Sequence, residues 1–134
     1  MANIVDLQSM GCTRYASAAA ENNAQVTTTQ SILYGFDGSN TDTSNAVFIQ
    51  VFDSKTAPAA NSVPIINIAV PARGSSTTIA NGNFGYSCST SFGEKFVNGI
   101  FIAASSTDGT YTAISTGKTL FHVQYAHEDA SGNL

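Results

Sequence analysis

The stretch Ala46-Val47-Phe48-Ile49-Gln50-Val51-Phe52-Asp53 decides the fold. β-Branched and aromatic residues fill it, and its side chains have the period of two that a strand imposes. Val47, Ile49 and Val51 fall on one face, and Phe48, Gln50 and Phe52 on the other. Both faces are largely apolar. Such a strand loses hydrophobic free energy unless each side is covered, which predicts a central position in its sheet.

Working toward the C-terminus, residues 55–61 form a loop around Pro58, and residues 63–70 read as the next strand. There Ile66, Ile68 and Val70 share one face, and Ile65, Asn67 and Ala69 the other. Pro64 and Pro71 frame it, as suits strand ends where no ladder donor is needed. Residues 75–79 are Ser/Thr-rich and strand-like, Asn81-Gly82 turns the chain, and residues 84–92 mix loop and strand. In residues 96–105 the Asn98-Gly99 pair predicts a kink or bulge at the entrance of a buried strand beginning at Ile100. Asp108-Gly109 marks a loop, and residues 110–114 read as a short edge strand. Residues 119–126 close the domain, with Phe121, Val123 and Tyr125 facing in and His122 and Gln124 facing out.

Toward the N-terminus, residues 31–36 alternate so that Ile32, Tyr34 and Phe36 share a face, and Asp37-Gly38 opens a polar loop running to Asn45. Residues 25–29 are β-prone. The one helix-friendly stretch, residues 16–24, is broken by Asn22-Asn23 and reads as strand plus turn. The sum is seven to nine short strands with no helix to cover a sheet. Two antiparallel sheets packed face to face solve that problem, which predicts an all-β, jelly-roll-like sandwich. An immunoglobulin-like sandwich is the second choice, since the chain has no Trp and no Cys…Trp…Cys spacing. The sandwich is assigned to residues 14–126, with an N-terminal arm (1–13) and a flexible C-terminal tail (127–134).

Only 10% of the 134 residues are charged, against roughly 25% in ordinary soluble domains. Ser, Thr, Asn, Ala and Gly take their place, giving a surface that hydrogen-bonds yet is cheap to desolvate. The net charge is −4, and Arg14, Lys55, Arg73, Lys95 and Lys118 are scattered. That disfavours nucleic acid and anionic membranes as partners. The start lacks the basic and apolar regions of a signal peptide, and no apolar run approaches a membrane span, so a soluble, unexported chain is expected. Cys12 and Cys88 lack CxxC spacing and read as two free thiols.

No constellation points to catalysis, to a metal or to any other cofactor. His122 and His127 are poorly spaced for a shared metal, and neither has an evident orienting acid. Asp37, Asn40 and Asp42 lack the spacing of a calcium loop and read as an Asx-turn. There is no G-x-S-x-G, no singled-out carboxylate pair, and no glycine loop opening a helix. A non-enzymatic protein is expected. Without Trp, the Phe and Tyr rings fall mostly on strand positions suited to a core rather than to stacking on sugars.

The segments Ile32-Leu33-Tyr34-Gly35-Phe36, residues 47–53, Ala57-Pro58, Val63-Pro64-Ile65, residues 68–72, residues 96–100 and residues 120–125 occur in an order that resembles small virion proteins of tailed bacteriophages. The resemblance spans roughly residues 30 to 126 and rests on packing and turn residues. It implies a jelly-roll-like structural protein of the virion, and first a capsid decoration protein. In that role the chain, made in the host cytoplasm, binds the major capsid protein on the outer surface of the head, as a homo-oligomer for which a trimer is favoured. The candidate contact residues are Ile4, Val5 and Leu7 in the arm and Tyr86 and Phe92 in the segment 73–92, which is longer than the family pattern. The competing expectation is a receptor- or glycan-binding domain of a head or tail fibre, using residues 37–45 and 72–92. A pilin or adhesin subunit stands third.

Overall fold

The computed structural model describes residues 12–74, 82–88 and 93–127. Nine strands follow one another: β1 (Thr13–Ala16), β2 (Asn23–Gln25), β3 (Ser31–Asn40), β4 (Val47–Asp53), β5 (Ile66–Val70), β6 (Asn83–Ser87), β7 (Glu94–Phe96), β8 (Ile100–Ser105) and β9 (Thr119–His127). All pairings are antiparallel, and one set of them nests, each inside the next. β4 pairs β5, β3 pairs β6 and β7, β2 pairs β8, and β1 pairs β9. Rolling this long hairpin on itself gives one sheet in the order β1-β9-β3-β6, with β7 also on β3, and a second in the order β2-β8-β4-β5. That order is a jelly roll, in which the two halves of the hairpin interleave in both sheets.

The core lies between the sheets. Leu33, Phe36, Phe121 and Val123 from the first meet Ile49, Val51, Ile100 and Ile102 from the second, all essentially without solvent exposure. Phe84 reaches in from β6, its ring centroid 6.2 Å from Phe36 and 6.4 Å from Phe121.

β4 is an inner strand between β8 and β5, as its two apolar faces require. Its outward side is covered too. Phe52, Phe101, Ala103 and Tyr111 form a second buried cluster. Tyr111 is held there by paired backbone hydrogen bonds, its N–H to Ser62 O and its carbonyl from Asn61 N–H, each 2.9 Å. β9 alternates as expected, and Gly99 stands at the entrance of β8.

Several sequence expectations need correction. Phe36 does not share a face with Ile32 and Tyr34. The register against β9 shifts between Leu33 and Gly35, and this bulge turns Phe36 onto the inward face with Leu33. Asp37-Gly38 is not a turn, because β3 continues to Asn40. A side chain at Gly38 would collide with the carbonyl of Leu120 and the ring of Phe84, so the glycine makes room for core packing. The strand read from residue 63 begins only at Ile66, leaving Val63 and Ile65 exposed. Residues 110–114 contribute a single bridge, Ser105 to Ala113, not a strand. The strand expected at residues 75–79, the arm through residue 11 and the tail from residue 128 lie outside the described residues.

Candidate docking face

The outward side of the β1-β9-β3-β6 sheet is built from three cross-strand rows. The first is Arg14–Gln124–Gly35–Ser87, the second Ala16–His122–Asp37–Gly85 and the third Leu120–Ser39–Asn83. Alternation along each strand puts these side chains opposite the core, since their sequence neighbours Phe36, Phe84, Phe121 and Val123 are buried. Arg14 and Asp37 carry the only fixed charges in the three rows. Most of the other positions hold Gly, Ala, Ser, Asn or Gln, so the surface is flat and has little side-chain entropy to lose on contact.

A shallow groove runs across this face, floored by Gly35 and Gly85 and bordered by Tyr34, Tyr86 and Gln124, with Cys12 at one end. Next to it, Ser39, Asn83, Leu120 and His122 line a second depression, and Asp37 belongs to both. Above Gly85 the space is open: an added Cβ would meet nothing nearer than the Asp37 Cβ, at 4.0 Å.

At the centre of the face His122 Nδ1 donates to Asp37 Oδ1 at 3.0 Å. The histidine therefore does have an orienting acid, contrary to the sequence reading. The acid was hidden because Asp37 was placed in a loop instead of directly across from His122. Among the described residues no hydroxyl or thiol hydrogen-bonds the other ring nitrogen. The pair is partly open to solvent, which leaves an imidazole edge exposed on the face.

No family model, no curated protein and no solved structure matches this chain.

The predicted contact residues fare differently. Ile4, Val5, Leu7 and Phe92 lie outside the described residues. Tyr86 borders the groove, but its ring points inward and stacks on Phe36, with centroids 5.2 Å apart and planes 18° apart. The main residues of the face, Asp37, His122, Gln124 and Gly85, were not singled out as contacts. The outward half of the β9 alternation was the signal available for them.

The acidic loop residues do not converge. Asn40 is fully buried at the end of β3, where its amide donates to Asn45 O (2.9 Å) and Pro71 O (3.2 Å). Asp42 folds the next residues into an Asx-turn, accepting from Ser44 N–H at 2.8 Å and Asn45 N–H at 3.0 Å on one oxygen. These bonds hold its carboxyl below the usual carboxylate range. Among the described residues no three His, Cys, Asp or Glu side chains are placed to hold a metal ion. Both cysteines are free thiols, as read from their spacing. Cys88 donates to Leu33 O at 2.9 Å, and burial first, then the charge of Glu94, pushes its thiol up.

Proposed function

We propose that this protein is a capsid decoration protein of a tailed-phage virion, which docks on the outer surface of the head and stabilises the assembled lattice. The observation that carries the reading is the flat, nearly uncharged face of the β1-β9-β3-β6 sheet, which no described loop covers. A jelly roll alone argues for no particular role. The virion assignment itself comes from the sequence resemblance over roughly residues 30 to 126, and the face is the surface that suits it. Small polar side chains are cheap to desolvate and lose little freedom, so contact with another rigid surface proceeds at low cost.

The mechanism is burial without chemistry. A site formed by neighbouring major capsid proteins exists only in the assembled shell, so each bound copy favours that state by mass action. Trimers at local threefold positions would multiply weak contacts through multivalency. Ile4, Val5 and Leu7 are assigned to anchor the arm on the lattice.

Copy number per particle tests the reading, by quantitative mass spectrometry of purified virions against the major capsid protein. Hundreds of copies support lattice-wide decoration. A handful, or a number matching one vertex, overturns it in favour of a tail or fibre component. Gly85→Arg tests the face: the side chain has room to stand over the groove, so binding to purified heads should fall about tenfold or more while thermal unfolding stays unchanged. Deleting residues 1–12 tests the arm in the same assay, where unchanged binding would remove it from the mechanism.

A further inference from the structure

At one end of the sandwich the two sheets part around a cleft of about 320 Å³. Its walls come from the start of β2, the loop between β3 and β4, the end of β8 and the segment leading into β9. This volume falls at the lower end of the range for ligand clefts, about 300–1,000 Å³. The cleft lies off the flat face assigned to docking, and none of its lining residues belongs to the three rows described above.

The walls are fixed before anything binds. Asn40, buried, ties the β3–β4 loop through Asn45 O and Pro71 O, and Asp42 N–H donates back to Asn40 Oδ1 at 3.0 Å. Arg73 N–H holds the Asp42 carbonyl at 2.8 Å. Across the cleft, Thr41 donates through both its N–H and its hydroxyl to Lys118 O, each 2.7 Å, and the Asn22 amide donates to Ile114 O. The backbone is thus satisfied internally, and the cleft needs no rearrangement to receive a ligand.

Its chemistry is neutral and mixed. Ile114, half-buried, is the main accessible apolar side chain, with the nearly buried Val47 and Ala104 beneath, and around it stand the hydroxyls of Ser44, Ser106 and Thr116. Among the described residues none of these three hydroxyls has a hydrogen-bond partner, so each is free to give and accept one. Asp42 and Lys118 both line the cleft, where Lys118 exerts a weak pull on the Asp42 carboxylate, and that carboxylate is already committed to its turn. An anion meets one cation and one carboxylate here and gains little. Among the described residues no aromatic ring lines the cleft, so a flat heterocycle finds nothing there to stack on. A sugar ring meets these features at once: a small C–H patch for Ile114 and the cleft floor, and several hydroxyls for uncommitted hydroxyls at the rim.

We infer that this cleft binds one neutral carbohydrate residue, a single pyranose unit of a glycan. The inference is independent of the capsid reading and stands or falls by itself.

The experiment is an amide-resolved NMR titration of the full chain with glucose, galactose, mannose, rhamnose and N-acetylglucosamine in turn. Each sugar is taken to about 50 mM, well above the millimolar Kd of a weak site. At least one sugar should give saturable shifts confined to Asn22, Ser44, Asn45, Ser106 and Thr116. Ser106→Trp, at an exposed position whose hydroxyl is unused, should abolish those shifts with an unchanged spectrum elsewhere, and Thr116→Val should weaken them several-fold. Absence of cleft shifts for every sugar overturns the inference. So do shifts that do not saturate, that map to the sheet face, or that survive in Ser106→Trp. Copy number in the virion is unaffected by any of these results, so the two readings fail separately.

Discussion

Outside the β2-β8-β4-β5 sheet, Phe52, Phe101, Ala103 and Tyr111 form an apolar cluster beneath two loops, whereas the outward positions of the other sheet hold Gln124, His122, Asp37, Ser39 and Gly85. Both sheets pack their inner faces on the same core. Among the described residues, only one has its back closed by the chain's own loops. The closed back adds buried area and therefore stability. The open back adds almost none, so its flatness and low charge are properties that folding does not demand. On the proposed reading, stability and contact are divided between opposite sides of one small domain, and substitutions on the two sides should separate cleanly.

The largest effect is expected from Phe52→Ala. The ring meets Tyr111 and Phe101 edge-on, at 5.5 Å and 6.4 Å between centroids, and its removal leaves a cavity under the loops. Equilibrium denaturation should show a loss of about 3–5 kcal/mol. A loss under about 1 kcal/mol would mean that the closed back is no more structural than the open one.

Gln50→Leu comes next. The fully buried Gln50 amide donates to Asn67 Oδ1 (2.9 Å), Thr107 O (3.0 Å) and Thr110 O (3.1 Å), pinning the loop that carries Tyr111. Its Oε1 is buried without a partner, so the apolar replacement also removes a polar atom that gains nothing. A net cost of about 1–2 kcal/mol follows. Hydrogen exchange should quicken in residues 107–112 and stay unchanged in β9. Uniform quickening would show that the loop is not a separate unit.

On the open side, Asp37→Asn should cost less than about 1 kcal/mol, because the pair with His122 is partly solvated and screened. A larger loss would make the pair a structural device and weaken its assignment to contact.

The smallest effect concerns Tyr15 at the edge of the open sheet. Its hydroxyl donates to both oxygens of Glu21, at 2.7 Å and 2.9 Å. Burial first, and then Glu21, raise its pKa from the ordinary 10 to about 12. The folded state thus holds this proton more tightly than the unfolded chain does. The resulting stabilisation is complete below pH 10 and is lost as pH rises from 10 through 12. Burial raises Tyr86 and Tyr111 as well, so absorbance titration should show several late tyrosines, of which Tyr15→Phe removes one, and Glu21→Gln should bring the Tyr15 midpoint only part of the way back. A full return would reverse the ranking of causes.

Much of the architecture is legible in local patterns, and the misreadings have physical sources. The two-faced β4 and the alternating β9 report their positions because burial is imposed residue by residue along a strand. β3 misleads twice. A bulge changes which residues face inward without any change in composition, and Asp37-Gly38 has the chemistry of a turn although Gly38 answers to the crowding of Leu120 and Phe84. Tyr111 was assigned to an edge strand, yet one large ring in a polar loop is also what a cap over an outer face looks like. The candidate face was hardest to see. It is defined by small residues from four strands, and their juxtaposition depends on cross-strand register that no single segment encodes.

The nesting of the strand pairs also sets the order in which the molecule can be completed. β9 hydrogen-bonds β1 on one side and β3 on the other, across more than a hundred residues in the first case. Closing such distant pairs is slow unless the inner ones have already shortened the loop. During synthesis the innermost pair, β4 with β5, is available first. The open sheet stays split, with β1 and β3 unjoined, until residues 119–127 emerge from the ribosome. The face proposed for docking is therefore the last part of the molecule to come into being, so a chain cut short before β9 lacks that surface.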